Sequence, residues 1–497
     1  LNSNNRSRGG GPGQGPAAGN SVGVDNFLVG QQGGINQTYA GGINYLNTWG
    51  EKLELESNYF VNKTINQNDQ QISQSLLLGE EARQTYEELA EVRSENINHR
   101  FNARLEYTID DRNTVIYTPR VSLQRNEASS VQLGLNQTTE GSLLNETTTQ
   151  SLTELTGYNI NNSLLWRHAF EKSGRTLLVN LNWQATDRDG LDSLSAITTF
   201  VQSDGRTEEE LTEQVTDETN VGRTLGSTLV FTEKVGLSSM LLLRYQNAYN
   251  RNKPSLTTST SNTDTGDRFI DPSLSGSFSR AYNYHQLGGG LRVRSKSIHG
   301  ALGLDYQYAT LQANNSFPTE LENTRSYHNL LPNLMLIKRG EAGMFMLRYR
   351  ARTTAPTASQ LQPVIDNSNL LAVSTGNAAL DQSYQHTLMT RFTRTDFERE
   401  RTFFAFGYLQ HTQNYVGNTT LISQQDTTLS GGFLLREGVQ YRSYANLDGR
   451  WLARTYAGYG IPLAKLGAVV NLNAGLSWTR TPGLVNGLRN LANTYTL

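Results

Sequence analysis

The chain has 497 residues, of which 36 % are hydrophobic, and its 43 Lys and Arg nearly balance 45 Asp and Glu. That balance leaves no electrostatic footprint for nucleic acid. The absence of cysteine removes disulfide frameworks and thiolate metal sites, and no run of 18 apolar residues offers a transmembrane helix. Disorder would fit the low hydrophobic fraction, but 23 Tyr, 16 Phe and 5 Trp do not fit disorder. A barrel needs only the outward half of each strand to be apolar and accommodates both facts.

Leu1-Asn2-Ser3-Asn4-Asn5 has neither a basic n-region nor an apolar h-region. An exported protein is therefore expected to be represented here without its start. Residues 1–33, with Gly9 to Gly19 almost all Gly and Pro, read as a Gly-rich loop or linker. From residue 34 to 497 a unit repeats: long strand, short turn, long strand, long polar loop. Short turns are expected at Gly50-Glu51-Lys52, Asp111-Arg112-Asn113, Lys172-Ser173-Gly174 and Val235-Gly236. Further ones fall at Ser295-Lys296-Ser297, Arg339-Gly340-Glu341, Glu398-Arg399-Glu400 and Leu463-Ala464-Lys465. Long outer loops are expected at about 66–93, 127–152, 187–221, 251–276, 353–383 and 414–438. Eight hairpins give roughly sixteen strands of an all-β, antiparallel transmembrane barrel.

The strands alternate. Phe101, Ala103, Leu105, Tyr107 and Ile109 interleave with Arg100, Asn102, Arg104, Glu106 and Thr108. Val179, Leu181, Trp183 and Ala185 interleave with Asn180, Asn182 and Gln184. Phe345, Leu347, Tyr349 and Ala351 oppose Met346, Arg348, Arg350 and Arg352, and Val470 to Trp478 repeats the pattern. Stacked soluble sandwiches would show shorter strands and more frequent turns. Tyr45, Trp49, Trp166, Tyr245, Tyr408, Trp451 and Tyr459 suit an interfacial girdle. Pro119, inside a strand, predicts irregular pairing. Ala82, Tyr86, Leu89 and Arg93 follow helical spacing within 80–93, and Thr207 to Glu210 has capping-box spacing, so two short acidic helices are expected.

The sequence carries no nucleophile, metal or nucleotide motif, so no enzyme, cofactor or metal is expected. Seven His are scattered without i, i+4 pairing. Gly288-Gly289-Gly290 precedes no helix. Asp187 to Asp192 lacks the bidentate Glu of a calcium loop and reads as an Asp/Gly turn, as do Asp264, Asp267 and Asp271.

One segment is more specific than alternation: Arg352-Thr353-Thr354-Ala355-Pro356, Leu361, Pro363 and then Gly376-Asn377-Ala378-Ala379-Leu380. It resembles the R-x-x-x-x-P-x-x-x-x-L … G-N-x-x-L segment of TonB-dependent receptors, and more closely the allied Bacteroidota-type outer-membrane β-barrel family. Phe317-Pro318, Asn329-Leu330-Leu331-Pro332 and Ile270 to Ser275 add to a resemblance over most of 33–478. It implies a 22-stranded barrel in the cell outer membrane, with a plug and a TonB-recruiting motif that this chain does not show. Physically, Pro356 and Pro363 are expected to stiffen an exposed crossover, Gly376-Asn377 to make a positive-φ turn, and Leu361 and Leu380 to share that architectural role.

Arg292, Arg294, Arg348, Arg350, Arg352 and Arg391 are the candidate lumen residues for an anionic solute or plug acids; pairing with neighbouring acids is the structural alternative. The expected function is receptor-type uptake of a scarce solute. The expected partners are outer-membrane lipid and the TonB system through a plug. The alternatives are a structural or adhesin-like barrel whose loops bind a surface lipoprotein, or a passive porin.

Overall fold

A computed structural model describes residue 28 and residues 33–78, 82–138, 140–201, 205–261, 266–341, 343–396, 399–429, 432–463 and 467–497. Apart from 28 and 33, the Gly-rich opening lies outside the described residues, as does Asp264. In chain order the strands begin with β1 (Ile35–Trp49), β2 (Leu53–Leu78), β3 (Ala82–Asp110), β4 (Asn113–Thr138), β5 (Leu143–Ala169) and β6 (Thr176–Val201). There follow β7 (Thr207–Lys234), β8 (Ser239–Ser261), β9 (Arg268–Ile270), β10 (Gly276–Arg294), β11 (Ile298–Phe317), β12 (Leu321–Gly340) and β13 (Gly343–Thr354). Helix α1 (Ala358–Leu361) precedes β14 (Ile365–Asp366), β15 (Ala372–Thr375), β16 (Ser383–Asp396), β17 (Arg401–Gln413) and β18 (Tyr415–Ile422). The last are β19 (Thr427–Thr428), β20 (Leu434–Leu435), β21 (Gln440–Leu447), β22 (Arg450–Leu463), β23 (Ala468–Val485) and β24 (Leu488–Thr496).

All but β19 and β20 join one 22-stranded sheet. Setting aside its short members β9, β14, β15, β18 and β21 leaves a wall of 17 strands. From β1 to β8 and on through β10, β11, β12, β13, β16, β17, β22, β23 and β24, each wall strand pairs antiparallel with the next. Sixteen of these are the expected hairpin strands. The seventeenth, β24, follows a tight Asn486-Gly487 turn with positive φ at both residues. β1 and β24 each have one neighbour among the described wall strands.

Cross-strand partners share a face, so the register assigns every side chain to the interior or exterior. Val179, Leu181, Trp183 and Ala185 point outward, with Leu181 43 % and Trp183 36 % exposed; among the described residues no second sheet covers them. The inner face carries polar ladders: Asn102 to Asn58 at 2.9 Å, Ser163 to Asn180 at 2.9 Å and Gln184 to Asn159 at 3.1 Å. Paired side chains of this kind suit a wet lumen.

The outward face also collects histidines that look unrelated in sequence. His99, His285, His328 and His386 each meet a tyrosine hydroxyl from a diagonal cross-strand position. Tyr59 lies at 2.7 Å, Tyr245 at 2.9 Å, Tyr306 at 2.6 Å and Tyr349 at 2.8 Å. His411 stacks on Trp451 with centroids 4.2 Å apart. These rings form a girdle that pairs amphipathic groups across strands. Of the seven aromatics expected there, Tyr408 instead faces inward, in register with Met389, and bonds Gln410 at 2.6 Å.

Both expected helices are strand. Residues 82–93 belong to β3 and pair in register with β2 and β4. Tyr86 and Leu89 point to opposite sides, Tyr86 buried and Leu89 exposed. Residues 207–211 begin β7, paired with β6. Residues 84–93 pair on both sides and residues 207–211 with β6 alone, and that tertiary pairing overrides local helical spacing. Most of the expected long loops at about 66–93, 127–152, 187–221 and 251–276 is likewise strand: the 29-residue β3 reaches roughly 95 Å at about 3.3 Å per residue, well past a bilayer. Asp187 to Asp192 lies within β6, so it is no turn, whereas Asp271 does cap one, accepting from Ser273 N at 2.8 Å. At Pro119 the β4–β5 pairing runs on. On the other side the β3–β4 register jumps from Asn102↔Arg120 to Leu105↔Tyr117. The missing N–H thus interrupts the ladder without a bulge there.

Candidate functional site

The segment between β13 and β16, residues 355–382, does not form an exposed crossover. It folds into the interior near the long-strand end. Leu361, Leu371 and Val373 are fully shielded and Leu380 is 1 % exposed. Leu361 and Leu380 pack with Phe278, Leu311 and Ala313 of the wall. Ile365 and Val373 pack with Leu274 and with Leu435 and Val439 of the β18–β21 connection. These two clusters are the apolar core, and it sits inside the barrel. Burying such side chains contributes roughly 1.5–3 kcal/mol each, which draws the insert inward.

Polar contacts spread its attachment around the wall. Arg280 Nε of β10 donates to Pro356 O at 2.7 Å. Asn367 donates to Gln214 of β7 at 3.1 Å, and Asn369 to the Tyr86 hydroxyl of β3 at 2.7 Å. Arg325 of β12 donates to Ala379 O at 2.7 Å, and Asn377 to Tyr444 O at 2.8 Å. Arg280 is 8 % exposed, and burial pulls its pKa down to about 10, so it remains charged at neutral pH. Thr357 caps α1 through a capping box with Gln360. Pro356 is buried, while Pro363 is exposed. Gly376 does not take a positive φ; its role is close approach, because a Cβ there would stand 2.3 Å from Gln362 O.

The β18–β21 connection closes over the same end. Arg436 binds Glu208 at 3.0 Å, Asp426 at 3.0 Å and Glu210 at 3.6 Å. The acidic run expected to be helical therefore pairs with a cation 228 residues later. Gln84 and Asn136 both donate to Gly438 O, at 2.7 and 3.3 Å.

Between the insert and β5–β8 lies a cavity of about 470 Å³. Thr153, Asp192, Gln214 and Glu218 form its wall side; Ser359, Asp366 and Asn367 form its insert side. Arg188 pairs with Glu218 at 2.5 Å. Asp192 accepts from Thr153 at 2.8 Å. Burial raises its pKa, against the Thr153 bond and with help from Asp366. Three carboxylates against one guanidinium, with hydroxyls and amides around them, suit a polar solute rich in hydrogen-bond donors. Among the described residues no histidine lines the cavity.

The sequence-predicted arginines lie elsewhere. Arg348, Arg350 and Arg352 of β13 and Arg391 of β16 share the inner face, with Arg348 opposite Met389 and Met346 opposite Arg391. All four are exposed to the interior. Arg352 bonds Gln385, and Arg391 lies 5.0 Å from the Phe404 ring. Arg292 and Arg294 also face inward but sit three strands away, opposite Ala301 and His299. Sequence reasoning missed the cavity acids Asp192, Glu218 and Asp366, which come from two wall strands and the insert.

A family model described as "Outer membrane protein beta-barrel family" matches residues 168–496. No curated protein matches. Solved structures similar to this chain include the copper transporter OprC, at 10 % identity and TM-score 0.46, covering 91 % of this chain and 63 % of that one. The outer membrane transporter YddB from Escherichia coli has 10 % identity, TM-score 0.43 and coverage of 86 % and 55 %. The siderophore receptor PiuA from Acinetobacter baumannii has 10 % identity, TM-score 0.43 and coverage of 88 % and 70 %. The chain thus spans less than two thirds of the first two.

Proposed function

This chain belongs to the outer membrane protein beta-barrel family, and on that premise we propose that it is the wall and inner gate of a TonB-dependent uptake receptor in the cell outer membrane. The carrying observation is the insert: residues 355–382 cross the interior and leave a polar cavity against β5–β8. A passive porin needs an open lumen, so an inward-folded, core-packed insert favours gated passage. The solute enters from the long-strand end, is held in the cavity, and moves on when the insert shifts. A plug and TonB supply the energy, and the arginine faces of β10, β13 and β16 are the surfaces for an anionic solute or for the plug's acids.

The test exploits the absence of cysteine. Growth of a deletion strain on single nutrients first identifies the solute. Asn367→Cys with Gln214→Cys, oxidised or bridged by a short reducible linker, then ties the insert to the wall. Uptake is expected to fall to background and to return on reduction. Full uptake with the bridge quantitatively formed would overturn the gate.

A further inference from the structure

We propose that the outward face of β7 and β8 holds the phosphate of an anionic outer-leaflet lipid through Arg223, Arg251 and Lys253. Register pairs Arg223 with Arg251, and Lys253 with Val221. Alternation places all three on the face that carries Leu225, Leu229, Leu241 and Leu243, each of which is at least partly exposed. Their level is set as well. One outward pair below Arg223 and Arg251 stands Leu225 with Tyr249, and below that the Tyr245–His285 girdle. The cations therefore begin where the apolar band stops, at the height of lipid headgroups.

Among the described residues no ion pair neutralises the three cations, although Asp187, Asp189 and Asp217 lie on the same outward face. Like charges directly opposite on a ladder repel, and none of the three forms an ion pair among the described residues. Other outward cations at this end do: Lys63 binds Glu95 at 2.5 Å and Arg125 binds Glu127 at 2.6 Å. Arg223 spends one nitrogen on Thr186 O and Gly222 O, at 3.0 and 2.8 Å, which leaves the rest of its guanidinium fork. On β6, Ala185 stands opposite Arg223, and the outward Asp187 beyond it accepts from Tyr158 at 3.2 Å. All three cations are exposed. A headgroup phosphate between them would turn a repulsive pair into charge-assisted hydrogen bonds while its acyl chains cover Leu225 and Leu229.

The full chain is placed in phosphatidylcholine nanodiscs doped with bisphosphorylated lipid A or its dephosphorylated form. Lipid retained after detergent extraction is then counted by native mass spectrometry. Retention of the phosphorylated form is expected to exceed the other by about tenfold, and to drop on raising the salt to about 0.5 M. The preference should vanish in R223Q/R251Q/K253Q and persist in K63Q/R125Q. Equal retention of the two lipids by the native chain, an unchanged preference in the triple variant, or complete displacement by millimolar inorganic phosphate would overturn the assignment. The salt and headgroup arms need no variant, so a folding defect in the triple substitution leaves the question decidable.

Discussion

Asp305 of β11 and Arg244 of β8 form an ion pair across the strand that separates them, and Gly288 on that strand makes it possible. Gly288 is in register with both residues, and a Cβ there would lie 1.5 Å from Asp305 Oδ1. The missing side chain opens a window in β10. Asp305 is 6 % exposed and Arg244 32 %, so the pair is well shielded on the acid side only. Gly288→Ala should therefore break the pair. Asp305→Ala should cost about 1–3 kcal/mol by stranding the guanidinium, whereas Arg244→Met with Asp305→Leu should recover much of that. Heat-modifiable migration of the folded barrel in gels reads the ranking. Equal stability of the native chain and Asp305→Ala would show that the pair contributes nothing.

Leu361→Ala or Leu380→Ala should loosen the insert while sparing the wall. Both side chains are almost fully shielded against Phe278 and Leu311, and truncating a buried Leu costs about 2–5 kcal/mol. The loss falls on one docked segment, so limited proteolysis should cut within residues 355–382 while the barrel still resists unfolding. Arg280→Met, which strands the Pro356 carbonyl, should have a smaller effect in the same direction. Cleavage in the wall before the insert would reverse this order of stabilities.

The wall was legible in the sequence because lipid on one side and water on the other impose a period of two on each strand, and Val179 to Ala185 or Val470 to Trp478 show it without help from neighbours. The insert was not. Leu361, Leu371, Val373 and Leu380 follow no period, and the residues that bury them, Leu274, Phe278, Leu311 and Leu435, belong to other strands and loops. The same limit hid the cavity, whose Asp192, Glu218 and Asp366 meet only through the fold. Tyr86 and Glu208 to Glu210 misled because helical spacing is a local signal, whereas their partners Asn369 and Arg436 lie far along the chain.

Reversing Arg348, Arg350 and Arg352 to Glu should impair uptake or plug seating without preventing membrane insertion. Their side chains are exposed on the inner face, so reversal changes the lumen field and leaves the lipid face of Phe345, Leu347 and Tyr349 untouched. Single reversal of Arg391 should act more weakly, since it changes one charge rather than three, even though its contact with Phe404 is also lost. Uptake in cells, alongside heat modifiability of the membrane fraction, separates the two effects. Unchanged uptake with all three reversed would remove these arginines from the transport path.

The docking of the insert should depend on pH through Asp192. Burial raises the pKa of this carboxyl above its ordinary value, and the nearby Asp366 pushes in the same direction. The docked state thus binds the proton more tightly than the undocked one. Docking is strongest below the ordinary carboxylate range and weakens as pH rises from there through the raised value. Wherever the carboxyl is ionised, its charge opposes docking. Asp192→Asn keeps an acceptor for Thr153, which lies 2.8 Å from the native carboxylate, and removes the charge. It should therefore protect the insert from protease above the ordinary carboxylate range and flatten the pH dependence of docking. Protection that rose with pH in the native chain, or a slope retained in Asp192→Asn, would place the titrating group elsewhere.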